Sequence, residues 1–254
     1  MKKIALITGA TSGIGKACAL LLAKNNFDII ITGRRKNLLL QLAQQLEESG
    51  AMVLTLNFDV QNKLQTDEAL DSMPDAWKNI DLLINNAGLA AGADKIYEAE
   101  VSDWEAMIDT NVKGLLYVSR KIIPGMISQK SGHIINIGSV AGKEVYMNGS
   151  VYCASKHAVD ALTKAMRIEL LPFGIKVTQI SPGAVETEFS MVRFKGDNSK
   201  ADAVYANMDP LMANDIAETV WFAVSRPPHV NLNDIWIMPT MQANTSHIFR
   251  RPVE

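Results

Sequence analysis

The stretch Thr8-Gly9-Ala10-Thr11-Ser12-Gly13-Ile14-Gly15 lies at the end of a short apolar run, residues 4–8, near the start of the chain. The apolar run predicts a buried strand, and the residues that follow the glycines predict a helix. Between a strand and a helix, glycines let the backbone approach a pyrophosphate closely, and the helix dipole favours its negative charge. The stretch therefore indicates a dinucleotide site, with a turn that uses glycine for backbone geometry alone as the alternative.

Six further apolar runs have the length of buried strands: residues 29–32, 53–58, 82–85, 133–137, 177–180 and 235–238. The intervals between the first six strands each have room for a helix. Apolar residues recur at helical spacing in residues 38–46, 104–123 and 151–171. This alternation predicts an α/β fold, a Rossmann-type doubly wound parallel sheet of about seven strands with helices on both faces.

The composition favours one domain with a small-molecule partner. The chain has 254 residues, 48% of them hydrophobic, so we expect a single domain over residues 1–254. The net charge of −2, from 25 basic and 27 acidic residues, provides no basic field for nucleic acid or an anionic membrane.

The cysteines and the first residues bear on metal binding and location. Cys18 and Cys153 lie in predicted helices at no metal-binding spacing, so we expect packed thiols and no metal. Met1-Lys2-Lys3 before an apolar run is reminiscent of a signal peptide, but the run is short and a first strand explains it better. No segment approaches the roughly 20 apolar residues of a membrane helix. We therefore expect a cytoplasmic protein.

A second motif, Tyr152-Cys153-Ala154-Ser155-Lys156, indicates acid/base chemistry. On one helix, the i, i+4 spacing places the phenol and the ammonium on the same face. A nearby cation would lower the tyrosine pKa from about 10 toward working pH, as a proton donor and acceptor for a carbonyl/alcohol pair requires. Ser139 could then hold the substrate oxygen. Alternatively, Tyr152 and Lys156 are ordinary residues of a helix surface.

The end of the second predicted strand indicates which dinucleotide binds. Folds that prefer NAD place an acidic residue there, against the ribose hydroxyls, whereas this chain has Gly33-Arg34-Arg35. Two guanidinium groups can hold a 2′-phosphate through charge-assisted hydrogen bonds. We therefore predict NADP over NAD, with solvated arginines that cap a turn as the alternative.

Short motifs occur in a fixed order along nearly the whole chain: Thr8-Gly9-x-x-x-Gly13-x-Gly15, Asn85-Asn86-Ala87-Gly88, Asn111, Ser139, Tyr152-x-x-x-Lys156 and Pro182-Gly183. Together they resemble the short-chain dehydrogenases/reductases. The resemblance implies that Tyr152 is the acid/base, that Lys156 lowers its pKa and binds the nicotinamide ribose, and that Ser139 donates to the carbonyl oxygen. It also implies that Asn111 completes a proton relay through water. Taken alone, Asn111 would be a helix-interior residue hydrogen-bonded to backbone.

The same resemblance implies where the cofactor lies. Residues 85–88, otherwise a turn, would shape the floor under it, Asp59-Val60 would meet its adenine side, and Thr187 would meet the nicotinamide amide. The alternatives are a helix N-cap for Asp59 and a plain turn residue for Thr187. The expected cofactor-binding residues are Gly9, Thr11, Ser12, Gly13, Ile14, Gly15, Arg34, Arg35, Asp59, Val60, Asn86, Ala87, Gly88, Tyr152, Lys156, Pro182, Gly183, Val185 and Thr187.

Residues 182–197, 86–89, 104–111 and 229–233 resemble one subgroup, the NADP-dependent 3-hydroxy acid dehydrogenases. This resemblance implies oxidation of L-allo-threonine, serine, 3-hydroxyisobutyrate and related 3-hydroxy acids to 3-oxo acids. Ser139 and Tyr152 would bind the reacting oxygen, and Arg193 could anchor the carboxylate bidentately. The alternative for Arg193 is a salt bridge to Glu186, Glu188 or Asp197 that orders the loop.

The least regular stretch, residues 183–213, predicts a substrate-covering loop, with a tolerated surface insertion as the alternative. Competing functions are a 3-oxoacyl thioester reductase, a broad carbonyl reductase, and a catalytically silent cofactor-binding sensor. The family's usual homotetramer packs helices that correspond to residues 104–123 and 151–171. Alternatively, their apolar faces pack only on the protein's own sheet.

Overall fold

Seven parallel strands form one sheet in the structure, a computed structural model that describes residues 2–252. The strands of the chain are β1 (Lys3–Ile7), β2 (Phe27–Gly33), β3 (Val53–Asn57), β4 (Leu82–Asn85), β5 (His133–Ile137), β6 (Lys176–Pro182), β7 (Val185–Glu186), β8 (Leu211–Met212) and β9 (Asp234–Ile237). The sheet order is β3-β2-β1-β4-β5-β6-β9, and β7 pairs separately with β8. The seven predicted strands are confirmed. The predicted domain ends, Met1 and Glu254, lie outside the described residues.

Helices cover both faces of the sheet. They are α1 (Gly13–Lys24), α2 (Lys36–Glu48), α3 (Lys63–Asp71), α4 (Val101–Ile108), α5 (Leu115–Gln129), α6 (Ser150–Leu170), α7 (Phe189–Arg193), α8 (Asn198–Tyr205) and α9 (Ala213–Val224). The predicted helix at 151–171 matches α6 within one residue at each end. The predicted helix at 104–123 is instead α4 and α5 joined by a π-helical segment, Asp109–Gly114.

Strand side chains alternate between two hydrophobic cores because successive residues of a strand point to opposite faces. Ala5 and Ile7 of β1 pack with α1, α2 and α9 on one face. Ile4 and Leu6 pack with α3, α5 and α6 on the other. This two-sided burial explains why the strands appear in the sequence as continuous apolar runs.

The strand order reverses at β1, which lies between β2 and β4. In open parallel sheets, the crevice at the carboxyl ends of strands that diverge in this way is the usual ligand site. The residues that follow β1 and β4 meet there, since the Thr8 hydroxyl accepts hydrogen bonds from the backbone N–H groups of Asn86 and Ala87, each at 3.0 Å. The fold thus brings the glycine turn beside residues 86–88.

Residues 183–213 are more regular than the sequence predicts. They contain β7, α7, α8 and β8, so the expected long irregular loop is wrong. Two polar contacts organise the segment locally: the Asp197 side chain accepts from the Lys200 N–H and caps α8, and the Tyr205 hydroxyl donates to the Val185 carbonyl at 2.8 Å. Across residues 2–252, none of the helices combines the length and the apolar character needed to cross a bilayer.

Candidate active site

A cavity of about 560 Å³ lies at the carboxyl ends of the strands and contains most of the predicted site. Gly15 and Asn111 lie just behind its wall. The predicted residues that line it are Gly9, Thr11, Ser12, Gly13, Ile14, Arg34, Arg35, Asp59, Val60, Asn86, Ala87, Gly88, Ser139, Tyr152, Lys156, Pro182, Gly183, Val185, Thr187 and Arg193.

The glycine turn forms one end of the cavity. Gly9 has φ +65°, a left-handed conformation that glycine adopts without a Cβ penalty. A Cβ at Gly15 would lie 2.5 Å from both the Gly9 carbonyl oxygen and Asn86 Nδ2. Asn86 Nδ2 in turn donates to the carbonyls of Thr8 and Gly9, at 2.9 and 3.1 Å. Gly15 therefore serves close packing behind the turn, and Gly9 shapes its surface.

Arg34 and Arg35 both reach the cavity but have different partners. Arg34 Nη1 lies 3.5 Å from Asp59 Oδ2, and its side chain is 60% exposed. Arg35 donates to the hydroxyls of Thr11 and Ser12 and to the Glu188 carboxylate. The Arg35 guanidinium therefore lies beside the glycine turn, and that of Arg34 lies beside Asp59 in the same cavity.

Asp59 and Thr187 both line the cavity. Asp59 accepts from the Gln61 N–H at 3.0 Å, while the N-cap of α3 is Asn62, so the alternative of an N-cap at Asp59 is wrong. Thr187 packs against the turn, since a Cβ on Gly13 would lie 3.2 Å from the Thr187 side chain. Thr187 Oγ1 also accepts from the Phe189 N–H at 3.3 Å, so this residue lines the cavity and shapes a turn.

Ser139 and Tyr152 meet at the other end of the cavity. Ser139 follows β5 and caps a short 3₁₀ helix, Val140–Gly142, by accepting from the Ala141 N–H at 3.1 Å. Burial is the largest influence on Tyr152 and, together with Tyr146, raises the pKa of its phenol well above the ordinary value. Hydrogen bonding with Ser139 and the charge of Arg193 act in the opposite direction.

Lys156 lies on α6 with Tyr152, as the spacing predicts, but its ammonium donates to the Ile137 carbonyl at 2.9 Å. Burial lowers the pKa of Lys156 to about 8. The predicted lowering of the Tyr152 pKa by Lys156 is therefore wrong for the protein groups alone, because the cost of burying a phenolate outweighs the charges that favour it.

Asn111 is buried in the π-helical segment. Its Oδ1 accepts from the Leu89 N–H, and its Nδ2 donates to the Leu89 carbonyl, each at 2.8 Å. Nδ2 also donates to Ser155 Oγ at 2.9 Å. The side chain thus joins the residues after β4 to α6, which fits the alternative of backbone bonding. The water relay stays a prediction. π-Helical insertions are frequent at functional sites.

Arg193, on α7, faces the catalytic end of the cavity. It donates to the Tyr146 hydroxyl at 3.1 Å and to the Gly92 carbonyl at 3.3 Å. Two of the three acidic residues that the sequence offered as partners have other contacts: Glu188 pairs with Arg35, and Asp197 caps α8. The guanidinium is thus held in the cavity wall by neutral acceptors.

The residues of the cavity wall that sequence reasoning did not assign to the site include Tyr146, Glu188, Tyr205 and Gln242. Gln242 lies more than fifty residues after Gly183, yet its Oε1 accepts from the Ala184 N–H at 2.8 Å. Tyr146 and Gln242 lie in irregular segments, and Glu188 and Tyr205 lie within residues 183–213. The sequence indicated Glu188 only through its charge, as a partner of Arg193, whereas its partner in the structure is Arg35.

A model of the family described as short chain dehydrogenase matches residues 3–198. The chain belongs to this family. The match includes the glycine turn, Ser139, Tyr152 and Lys156, and it confirms the resemblance inferred from the motifs.

Relatives of this short chain dehydrogenase match nearly its whole length. It is 46% identical over 241 residues to the NADP-dependent 3-hydroxy acid dehydrogenase YdfG of Salmonella typhi, covering 94% of this chain and 96% of the relative. It is 41% identical over 244 residues to sulfoacetaldehyde reductase 2 of Chromohalobacter salexigens, covering 96% of each. The closed form of serine dehydrogenase complexed with NADP⁺ superposes with a TM-score of 0.91 at 43% identity, covering 98% of this chain and 100% of that one.

Proposed function

We propose that this short chain dehydrogenase interconverts 3-hydroxy acids and 3-oxo acids with NADP, acting on substrates such as L-allo-threonine, serine and 3-hydroxyisobutyrate. The observation that carries the proposal is the joint placement of two groups in one cavity. Arg34 and Arg35 line the same cavity as Ser139, Tyr152 and Arg193, and Arg35 contacts the glycine turn. The names of the similar enzymes support 3-hydroxy acids and serine as substrates and NADP as the cofactor.

The residues at the glycine turn fit a 2′-phosphorylated dinucleotide. The turn presents the N-terminus of α1, where backbone N–H groups favour an anion. Arg35 is fixed by the hydroxyls of Thr11 and Ser12, so its guanidinium is already oriented toward the turn. With Arg34 it provides two positive charges for a phosphate. We assign Arg34, Arg35 and the turn to cofactor binding on these grounds.

Tyr152 and Ser139 carry the proton chemistry in this proposal. When bound, the nicotinamide supplies the hydride acceptor for oxidation and the hydride donor for reduction. Tyr152 takes the proton from the substrate hydroxyl in oxidation and returns it to the carbonyl oxygen in reduction, while the Ser139 hydroxyl holds that oxygen. The raised pKa of Tyr152 keeps its phenol protonated at neutral pH, which suits reduction. Oxidation needs the phenolate and is favoured as pH rises.

Lys156 has two assigned roles in the proposal. Its ammonium stabilises the phenolate of Tyr152 when that forms, and it binds the nicotinamide ribose. Because burial lowers the pKa of Lys156 to about 8, its positive charge is present at neutral pH and is lost as pH rises through that value.

Arg193 supplies the anchor for the substrate carboxylate. Among the guanidinium groups of the cavity wall, that of Arg193 lies nearest to the Tyr152 phenol. Its contacts to Tyr146 and Gly92 are to neutral oxygens. An arginine whose partners are neutral oxygens has no carboxylate to displace before it binds an incoming anion. Carboxylate recognition by Arg193 would favour free hydroxy acids over thioesters.

We extend the proposal to the whole chain. Residues 1–254 act as one domain, and residues 183–213 cover the substrate. The covering role is supported by the edge-on contact of the Phe189 ring with the Tyr152 ring, whose centroids lie 5.6 Å apart. The protein forms a homotetramer, supported by the exposed Ile168 and Leu171 at the end of α6. Light scattering tests that assembly.

A location in the cytoplasm is part of the same proposal. Cys18 and Cys153 are both unpaired thiols, as is usual in a reducing compartment. Fractionation of cells that express the protein, followed by detection with an antibody, tests the location.

The experiment that tests the function follows the absorbance of the reduced cofactor with purified protein. L-allo-threonine, serine and 3-hydroxyisobutyrate are offered with NADP or NAD, and a 3-oxoacyl thioester is offered with NADPH. Oxidation of the hydroxy acids with NADP, and much slower oxidation with NAD, is the expected result. Thioester reduction without hydroxy acid oxidation would contradict the proposed substrate.

Sulfoacetaldehyde reduction is the second candidate function, favoured by the 41% identity to sulfoacetaldehyde reductase 2. A sulfonate is an anion of similar size to a carboxylate, and Arg193 could hold either. Sulfoacetaldehyde with NADPH therefore belongs in the same assay. Turnover of this substrate alone would favour the second candidate over the first.

A further inference from the structure

Arg35 is the centre of a polar cluster at the mouth of the cavity. Its Nη2 donates to Thr11 Oγ1 at 2.9 Å and to Ser12 Oγ at 2.8 Å, and its Nη1 donates to Glu188 Oε2 at 2.8 Å. The cluster joins three parts of the fold: the end of β2, the glycine turn, and the residue before α7.

Glu188 is the anion of this cluster. Burial opposes its ionisation, but hydrogen bonds with Arg35 and Ser12 and the nearby positive charges hold the pKa of Glu188 below its ordinary value. Its carboxylate is therefore charged at neutral pH. The other partners of Arg35 are neutral hydroxyls, so Glu188 occupies the place on the guanidinium that an external oxyanion would take.

We propose that Glu188 determines cofactor specificity by competing with the 2′-phosphate of NADP for Arg35. This inference rests on the NADP preference proposed above. A carboxylate and a phosphate are both oxyanions that a guanidinium binds through the same N–H groups, and two such anions repel each other at close range. A 2′-phosphate must displace the carboxylate or share the guanidinium with it. A dinucleotide that lacks this phosphate leaves the pair intact.

Glu188 therefore weakens the binding of NADP and not that of NAD. It reduces the preference for NADP over NAD that Arg34 and Arg35 establish. The pair also joins the cofactor end of the cavity to α7, because Glu188 directly precedes Phe189, whose ring contacts Tyr152. Displacement of the carboxylate by a phosphate thus releases one of the contacts that hold α7 over the catalytic end.

The test is a fluorescence titration of the intact protein with NADPH and with NADH. Glu188→Gln keeps the size of the side chain and removes its charge. Glu186→Gln is the matched control, because Glu186 lies two residues earlier on β7 with an exposed side chain. We expect Glu188→Gln to bind NADPH roughly three- to tenfold more tightly than the wild type, because the competing ion pair is partly exposed. NADH affinity should change by less than about twofold, and Glu186→Gln should match the wild type for both dinucleotides.

Glu188→Asp provides a second variant, with the carboxylate withdrawn by one methylene. It should tighten NADPH binding in the same direction but less. Far-UV circular dichroism verifies that each variant is folded. If the wild type prefers NADPH and both Glu188 variants bind it no more tightly, the competition is refuted and the proposed cofactor stands. If the wild type shows no preference for NADPH, the proposed cofactor and this inference fail together.

Discussion

Tyr152 is subject to opposing influences on its proton. Burial and Tyr146 raise the pKa of the phenol, while hydrogen bonding with Ser139 and the charge of Arg193 lower it. The sequence predicts the residues of this site because their spacing along α6 is fixed. It does not predict the balance, because the burial of the phenol and its contact with Tyr146 depend on segments that no motif places beside Tyr152. The same limit explains why Glu188 and Asp197, offered as alternative salt-bridge partners of Arg193, have other contacts in the structure.

Arg193 should affect carboxylated and neutral substrates differently. We expect Arg193→Met to raise the Michaelis constant, KM, for L-allo-threonine by about tenfold or more, because a charge-assisted pair is lost, and to change KM for neutral secondary alcohols far less. Initial rates over a range of substrate concentrations measure both constants.

The control for this prediction is Arg226→Met. Arg226 stacks on the ring of Phe222, and it is not among the described residues that line the cavity. Arg193 also contacts Tyr146 and Gly92, so a merely structural role would impair both substrate classes alike. Equal increases in KM for acids and alcohols would therefore rule out the carboxylate anchor.

Elements with a continuous apolar pattern were predicted well, and elements with local irregularity were not. The strands follow from their apolar runs, and α6 from its helical spacing. The π-helical segment between α4 and α5 carries Asn111, and because the chain stays helical through it, the apolar spacing of residues 104–123 predicts one continuous helix. In residues 183–213, α7 and α8 are too short for periodicity to indicate them.

Two helix glycines should respond in opposite ways to substitution by alanine. In α1, a Cβ at Gly15 would lie 2.5 Å from the Gly9 carbonyl oxygen, whereas in α5 a Cβ at Gly125 would lie 3.7 Å from its nearest neighbour, the Lys78 carbonyl oxygen. We expect Gly15→Ala to lower the free energy of unfolding by about 1–3 kcal/mol through overpacking. Gly125→Ala should raise it by about 0.5–1 kcal/mol through helix propensity.

Urea unfolding of the two variants and the wild type measures these changes. NADPH binding should weaken in Gly15→Ala, because the displaced backbone belongs to the glycine turn. The steric account of α1 does not hold if Gly15→Ala is as stable as Gly125→Ala.

At the scale of the whole molecule, the sheet and its two cores place chemistry from distant parts of the chain at one edge. The turn after β1, the residues after β4 and Ser139 after β5 all lie at carboxyl ends of neighbouring parallel strands. This convergence follows from the doubly wound parallel sheet, which the sequence predicts through the alternation of strands and helices. The contact of Gln242 with Ala184 does not follow from it, because the last segment of the chain has no repeating pattern.

His133 should make the stability of the fold sensitive to acid. It begins β5, and its Nε2 pairs with Thr178 Oγ1 at 2.8 Å. Burial, with a smaller contribution from Lys176, lowers the pKa of His133 from 6.5 to about 3. Below about pH 6.5, the His133 imidazole binds a proton in the unfolded chain but stays neutral in the folded protein. This contribution to stability is therefore fully present above that pH and is lost as pH falls toward 3.

Equilibrium unfolding in urea at pH 7.5 and pH 5 measures the effect. We expect the wild type to lose about 2 kcal/mol through His133 over this interval, and His133→Gln to lose correspondingly less. His247→Gln alters an exposed histidine and should keep the pH dependence of the wild type. An unchanged pH dependence in His133→Gln would show that the buried imidazole is not responsible.

Tyr152→Phe examines the proposed mechanism at its centre, since it removes only the hydroxyl that exchanges the substrate proton. The measurement is the rate of NADPH formation from L-allo-threonine, paired with a fluorescence titration of NADPH, for Tyr152→Phe, the wild type and Tyr97→Phe, which alters an exposed tyrosine. We expect Tyr152→Phe to lose turnover by at least roughly 10²–10⁴-fold while binding NADPH nearly as tightly as the wild type, and Tyr97→Phe to match the wild type in both. Turnover by Tyr152→Phe at the wild-type rate would contradict the assignment of Tyr152 as the acid/base.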